Sequence, residues 1–188
     1  MLQFSAKLAS MLRRFICIFA VVFVILPQLQ PVFGQVEAEW VSQHVLTNTW
    51  EMPTAMTLDA SGNIYIAGMI GSGDRAHYLT LKYDPNGRTL WAAQYGRGRT
   101  GQGRPETLAI DRSGNVIVTG SFGTVKYDID GNQVWARSQF AGTHLAADEN
   151  GSSFVAVHPR LTKLTPDGDE VWSSEAEYPA TLRLAPEG

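Results

Sequence analysis

Hydrophobic and polar positions along this chain follow two alternating rules. Over Ala55–Asp59 large apolar residues alternate with small or polar ones, Met56 and Leu58 on one face, Ala55 and Thr57 on the other. The alternation returns at Leu108 and Ile110, at Leu145 and Ala147, and at Leu182 and Leu184. A period of two predicts strands with one packed face. A few residues after each of the first three come runs that are apolar nearly throughout: Ile64–Ala67, Val116–Val118 and Phe154–Val157. Those predict strands buried on both faces. No stretch after residue 35 sustains a helical period. In the first unit the pattern predicts four strands, Ala55–Asp59, Ile64–Gly68, Tyr78–Tyr83 and Leu90–Tyr95. Turn chemistry separates them at Ala60-Ser61-Gly62-Asn63 and Asp84-Pro85-Asn86-Gly87, where Asp, Asn and Ser bond their own backbone and Gly supplies positive φ.

The pattern is also a repeat. PTAMTLDASGNIYIAG (Pro53–Gly68) aligns without a gap to PETLAIDRSGNVIVTG (Pro105–Gly120); THLAADENGSSFVAV (Thr143–Val157) is a third copy, and PATLRLAPEG (Pro179–Gly188) begins a fourth. A second block follows each of the first three: LKYDPNGRTLW to Trp91, VKYDIDGNQVW to Trp135, TKLTPDGDEVW to Trp172. Repetition at a period of tens of residues signals stacked supersecondary units. Four strands covered on both sides by copies of themselves make a propeller blade. The expectation is therefore an all-β fold, a β-propeller of four-stranded antiparallel blades with about three blades present. Units run 53–104, 105–141 and 142–178, with a fourth starting at 179–188. Trp91, Trp135 and Trp172, and Trp40 in the matching segment Glu39–His44, are expected to plug the space between neighbouring blades.

The frames D-x-S-G-N and K-Y-D-x-x-G-x-x-x-W resemble the bacterial propeller repeat called the SBBP repeat. The turn-then-Trp block is similar to the tryptophan-docking motif of PQQ-type quinoprotein propellers. The resemblance covers residues 53–188. It implies the propeller fold; its members are mostly exported or surface proteins, and the quinoprotein relatives are dehydrogenases. The vicinal cysteine pair of the quinoproteins is absent here, so no quinone site is carried over and no cofactor is expected.

Propellers need about 4–8 blades. Three blades and an orphan outer strand at residues 35–52 therefore suggest either a fragment of a larger propeller or a ring closed by self-association. Residues 1–34 read as a secretory signal peptide: Lys7, Arg13 and Arg14 without an acid, an apolar run Phe15–Leu26, then Pro27 and a small-residue site ending at Gly34. The expected location is secreted, cell-surface or periplasmic. Removing that leader leaves 12 basic against 18 acidic residues, a net charge near −6, which argues against nucleic acid or an anionic membrane as partner. The single cysteine, Cys17, goes with the leader.

No catalytic constellation stands out. In an up-and-down blade the tight turns share one rim and the longer loops share the other, so Met69–His77, Arg97–Arg104 and His158–Arg160 are expected together. That rim carries Asp74, Arg75, His77, Arg97, Arg99, Arg104, His158 and Arg160. An anionic ligand such as an acidic glycan would suit it; a solvated basic rim is the plainer alternative. GRGRTG at Gly96–Gly101 spells a dinucleotide fingerprint, but a strand follows where the phosphate-binding helix is needed. Asp128-Ile129-Asp130-Gly131-Asn132 opens like a calcium loop, but position twelve is Gln139, and the four histidines (44, 77, 144 and 158) lack metal-ligand spacing. The leading reading is a non-catalytic module that binds a protein or glycan. The alternative is part of a propeller enzyme, a quinoprotein-like oxidoreductase or a lyase or hydrolase.

Overall fold

The computed structural model describes residues 51–96 and 98–175. They fold into three four-stranded sheets, each antiparallel and each ordered as the chain runs. The first blade comprises β1 (Glu51–Leu58), β2 (Ile64–Ile70), β3 (His77–Tyr83) and β4 (Thr89–Tyr95). The second comprises β5 (Pro105–Ile110), β6 (Val116–Gly120), β7 (Gly123–Tyr127) and β8 (Gln133–Arg137). The third comprises β9 (His144–Ala147), β10 (Ser153–Val157), β11 (Arg160–Leu164) and β12 (Glu170–Glu175). A 3-10 turn at Gly73–Arg75 interrupts the strand pattern. This is the blade architecture of a β-propeller, three blades in succession.

The repeated D-x-S-G-N motif is a self-closing turn. One carboxylate oxygen of Asp59 accepts the backbone N–H of Ser61 and of Asn63, and the other accepts the Asn63 amide. Asp111 does the same for Ser113 and Asn115. Asp128 does it for Asp130 and Asn132, so both oxygens of the calcium-like loop are spent on its own turn. Gly62, Gly114 and Gly131 close these turns at φ of +80°, +81° and +86°, where a side chain would be strained.

Blades are joined by a two-donor clamp. Lys82 pairs across the sheet with Trp91, and Lys126 with Trp135, so each lysine stands beside its tryptophan on the face toward the next blade. Lys82 Nζ and Trp91 Nε1 both donate to the carbonyl of Ile129, at 3.2 and 3.0 Å. Lys126 Nζ and Trp135 Nε1 both donate to the carbonyl of Pro166, at 3.3 and 2.8 Å. The indoles also lie flat against the turn that offers the carbonyl: a Cβ on Gly131 would stand 2.7 Å from Trp91, and one on Gly168 2.7 Å from Trp135. Between the clamps sit two apolar clusters. Leu108 reaches back to Tyr65, Ala67 and Tyr78 of the first blade. Leu145 reaches back to Ile117 and Trp135 of the second.

Covered on both sides, the middle blade has β6 and β7 buried along their whole length. The outer blades differ. Met56 and Leu58, the counterparts of Leu108 and Ile110, are 67% and 60% exposed. Trp172 is 40% exposed where Trp135 is 6%. The inter-blade role expected of the tryptophans is thus realised at Trp91 and Trp135, while Trp172 meets no following blade among the described residues. Trp40 lies outside them.

Candidate functional site

Two insertions distinguish the first blade: the loop between β2 and β3, and the crossover from β4 to β5. Antiparallel order puts both on the rim opposite the tight Asp-x-x-Gly turns. They are tied together by backbone, Gly101 N–H to the Asp74 carbonyl at 3.2 Å and Gly103 N–H to the Ala76 carbonyl at 2.8 Å. Between them opens a cleft of about 540 Å³ lined by Asp74, Arg75, His77, Gly98, Arg99 and Thr100. Four of the eight residues singled out from the sequence therefore share one site.

The cleft rests on Phe122, from the turn between β6 and β7 of the second blade. Its ring stacks on Tyr78 at 6.1 Å and carries the Arg99 guanidinium 5.1 Å above it. Phe122 is fixed by backbone as well: its N–H donates to Tyr78 Oη at 2.7 Å, and its carbonyl accepts from Tyr95 Oη at 3.3 Å. Tyr95 Oη in turn accepts from Arg99 Nη1 at 3.3 Å. Gly96, the first of the fingerprint-like glycines, and Gly103 beyond them have their reason here. A Cβ on Gly96 or on Gly103 would stand 2.4 Å from the Phe122 ring, so the crossover can lie on that ring only without side chains.

Tyr78 is fully buried, and burial pushes its phenol well above the usual range. Its hydroxyl also donates to the Gly123 carbonyl at 3.2 Å. Tyr78→Phe is expected to cost about 1–3 kcal/mol in urea unfolding, because it leaves a buried N–H of Phe122 unpaired.

Charge in the cleft is lopsided: two guanidinium groups and an imidazole against the single carboxylate of Asp74. Neither Arg75 nor Arg99 is paired with a carboxylate among the described residues. Both ring nitrogens of His77 lie against oxygens, the Arg75 carbonyl at 3.1 Å and Gln94 Oε1 at 3.2 Å, which holds the ring in place. The basic groups of the cleft are thus mounted on an ordered base without a carboxylate partner among the described residues.

The remaining predicted residues go elsewhere. Arg104 turns to Glu106 at 3.7 Å, and its backbone is held by Ser121, so it does not line the cleft. His158 and Arg160 sit exposed at the β10–β11 turn of the third blade. Arg97 lies outside the described residues. Thr100 and the supporting Phe122, Tyr95 and Gln94 were not singled out from the sequence. Phe122 follows the second β-strand of its unit and contacts Tyr78, 44 residues earlier, so no local pattern announces it. Among the described residues no group of three His, Cys, Asp or Glu side chains is placed to hold a metal ion.

No family model matches the chain, and no curated protein matches it in sequence. Solved structures do. Virginiamycin B lyase from Staphylococcus aureus, in a catalytically inactive form with quinupristin, superposes with a TM-score of 0.51 at 18% identity, over 71% of this chain and 44% of that one. A Bacteroides caccae protein of unknown function gives 0.48 at 17% identity, over 70% and 48%. The Neurospora crassa Pan2 WD40 domain gives 0.44 at 9% identity, over 66% and 50%. The chain thus spans about half the length of the solved structures it matches. At such identity the likeness speaks for fold alone: the described residues are three blades of a β-propeller.

Proposed function

We propose that this chain is an exported β-propeller module with a binding role, and that the cleft on its first blade takes an acidic glycan. The observation that carries the reading is the pair of unpaired guanidinium groups, Arg75 and Arg99, facing one cleft beside His77 on a rigid floor. Guanidinium forks match carboxylate and sulfate groups in geometry and charge. The cleft is open and built from loops on a strand scaffold, which is where repeat folds carry recognition. Asp74 adds an acceptor for sugar hydroxyls at the same site. The leader expected at residues 1–34 supports export, and with it access to glycans outside the cytoplasm.

The test is calorimetric titration with a uronate-bearing and a sulfated oligosaccharide, beside a neutral one of the same length. Arg75→Ala and Arg99→Ala are each expected to weaken binding of the acidic ligands by about tenfold or more. Rising salt should weaken it further. Equal affinity for the neutral oligosaccharide, or binding untouched by the double substitution, would retire the proposal.

A further inference from the structure

Arg75 and Arg99 line the same cleft but are mounted differently. Arg75 ends the short 3-10 turn at Gly73–Arg75, and among the described residues its guanidinium makes no hydrogen bond or ion pair. Arg99 is held twice. Its guanidinium lies 5.1 Å over the Phe122 ring, and its Nη1 donates to Tyr95 Oη at 3.3 Å.

Both holders are themselves fixed. Tyr95 closes β4, pairs across the sheet with Tyr78 and meets that ring edge-on at 5.5 Å. Its one hydroxyl proton goes to the Phe122 carbonyl at 3.3 Å, which leaves only lone pairs for Arg99. Tyr78 Oη takes the N–H of the same residue at 2.7 Å. Two tyrosines of the first blade therefore grip one residue of the second. The ring and the hydroxyl that hold Arg99 are bonded to each other and move as a unit.

The crossover keeps its shape without Arg99. Backbone bonds tie Gly101 and Gly103 to the β2–β3 loop, and Gly96 and Gly103 pack on the Phe122 ring. Arg99 itself is exposed, and at an exposed site a cation over a ring adds little to the fold. What the two contacts do is aim the guanidinium. A side chain ordered before binding loses less freedom when a ligand arrives.

Building on the acid-binding reading of the cleft, we infer that Tyr95 and Phe122 are positioning residues. They make Arg99 the fixed anchor for the ligand's acid group, while Arg75 is the adaptable partner that closes on it. One N–H of Arg99 is spent on Tyr95, and the rest of its fork is left for the ligand.

The first test needs no ligand. In NMR of the free chain the Arg99 Nε–Hε resonance is expected to be sharp and shifted by the Phe122 ring current. Tyr95→Phe should broaden it, and Phe122→Leu should remove the ring-current shift. A resonance left unchanged by both substitutions overturns the inference. Calorimetry with the uronate-bearing oligosaccharide is the second test. Tyr95→Phe is expected to weaken binding by about three- to tenfold in the parent and in Arg75→Ala, and to have no effect in Arg99→Ala. A loss that persists in Arg99→Ala marks a general structural effect and overturns the inference. So does Arg99→Ala lowering Tm as much as Phe122→Leu does, which would make Arg99 a brace of the crossover. A parent chain that binds no acidic oligosaccharide retires the glycan reading, and the resonance still decides whether Tyr95 and Phe122 aim Arg99.

Discussion

Trp135→Ala is expected to destabilise the chain by about 3–5 kcal/mol, while Trp172→Ala costs about 1 kcal/mol or less. The two residues occupy the same place in the same repeat, so the difference isolates the junction from the motif. Trp135 is 6% exposed, packs with Ile117, Leu145, Val155 and Leu164, and donates to Pro166 of the third blade at 2.8 Å. Its removal opens a cavity at the interface that backbone on both sides prevents from collapsing. Trp172 is 40% exposed, and its ring contact is Phe154 of its own blade, at 6.2 Å. Trp135→Phe should cost far less than the alanine change, about 0.5–1.5 kcal/mol for the lost N–H donor, because Lys126 still serves the Pro166 carbonyl. Guanidinium unfolding with a constant m-value checks all three; equal losses at Trp135 and Trp172 would contradict the clamp.

Asp111→Asn is expected to cost about 3–5 kcal/mol, the penalty for leaving a buried charge without its partner. Lys126 Nζ lies 2.9 Å from Asp111 Oδ2, and the two side chains are 5% and 2% exposed. The asparagine keeps an acceptor for the turn N–H groups of Ser113 and Asn115, so the loss reports the ion pair more than the turn. The homologous pair in the third blade, Lys163 with Asp148 at 3.6 Å, is 28% and 19% exposed, and Asp148→Asn there should cost about 1 kcal/mol or less. Burial alone would push the Asp111 carboxyl up. Hydrogen bonds from the Asn115 amide, from Lys126 and from the Asn115 backbone outweigh it and hold the carboxyl below the usual range. Asp59 is held low in the same way by Asn63 against its own burial. A carboxyl whose folded pKa lies below its unfolded value stabilises the fold above the unfolded pKa and loses that contribution as pH falls through the folded one. Stability should hold from neutral pH to about pH 5 and fall steeply below about pH 4, with the fall reduced in Asp111→Asn.

The strands, the turns and the position of the tryptophan plugs were legible because each follows from residues close in sequence. Alternation at Leu108 and Ile110 places the inner strand, and Asp111 with Asn115 closes the next turn on itself. The lysine half of the clamp was also on view, since Lys82, Lys126 and Lys163 recur at one place in the repeat. A lysine in a strand reads as solvated, however, and its burial depends on a carbonyl some forty residues away. The cleft was legible in part. Topology put Asp74, Arg75, His77 and Arg99 on one rim, and the structure brings them together. It could not say that Arg104 turns toward Glu106, or that His158 and Arg160 stand two blades along the rim. Nor could it supply Phe122, whose part rests on contacts with Tyr78, with Gly96 at the head of the phosphate-loop-like run, and with Gly103 after it.

A crystal structure of the chain soaked with an oligosaccharide of uronic acids would show directly whether the cleft of the first blade holds an acidic glycan. A carboxylate is expected between the guanidinium groups of Arg75 and Arg99, with His77 at the side of the same sugar. A ligand seated at the tight-turn rim or along the inner strands would contradict it, as would an empty cleft at saturating ligand.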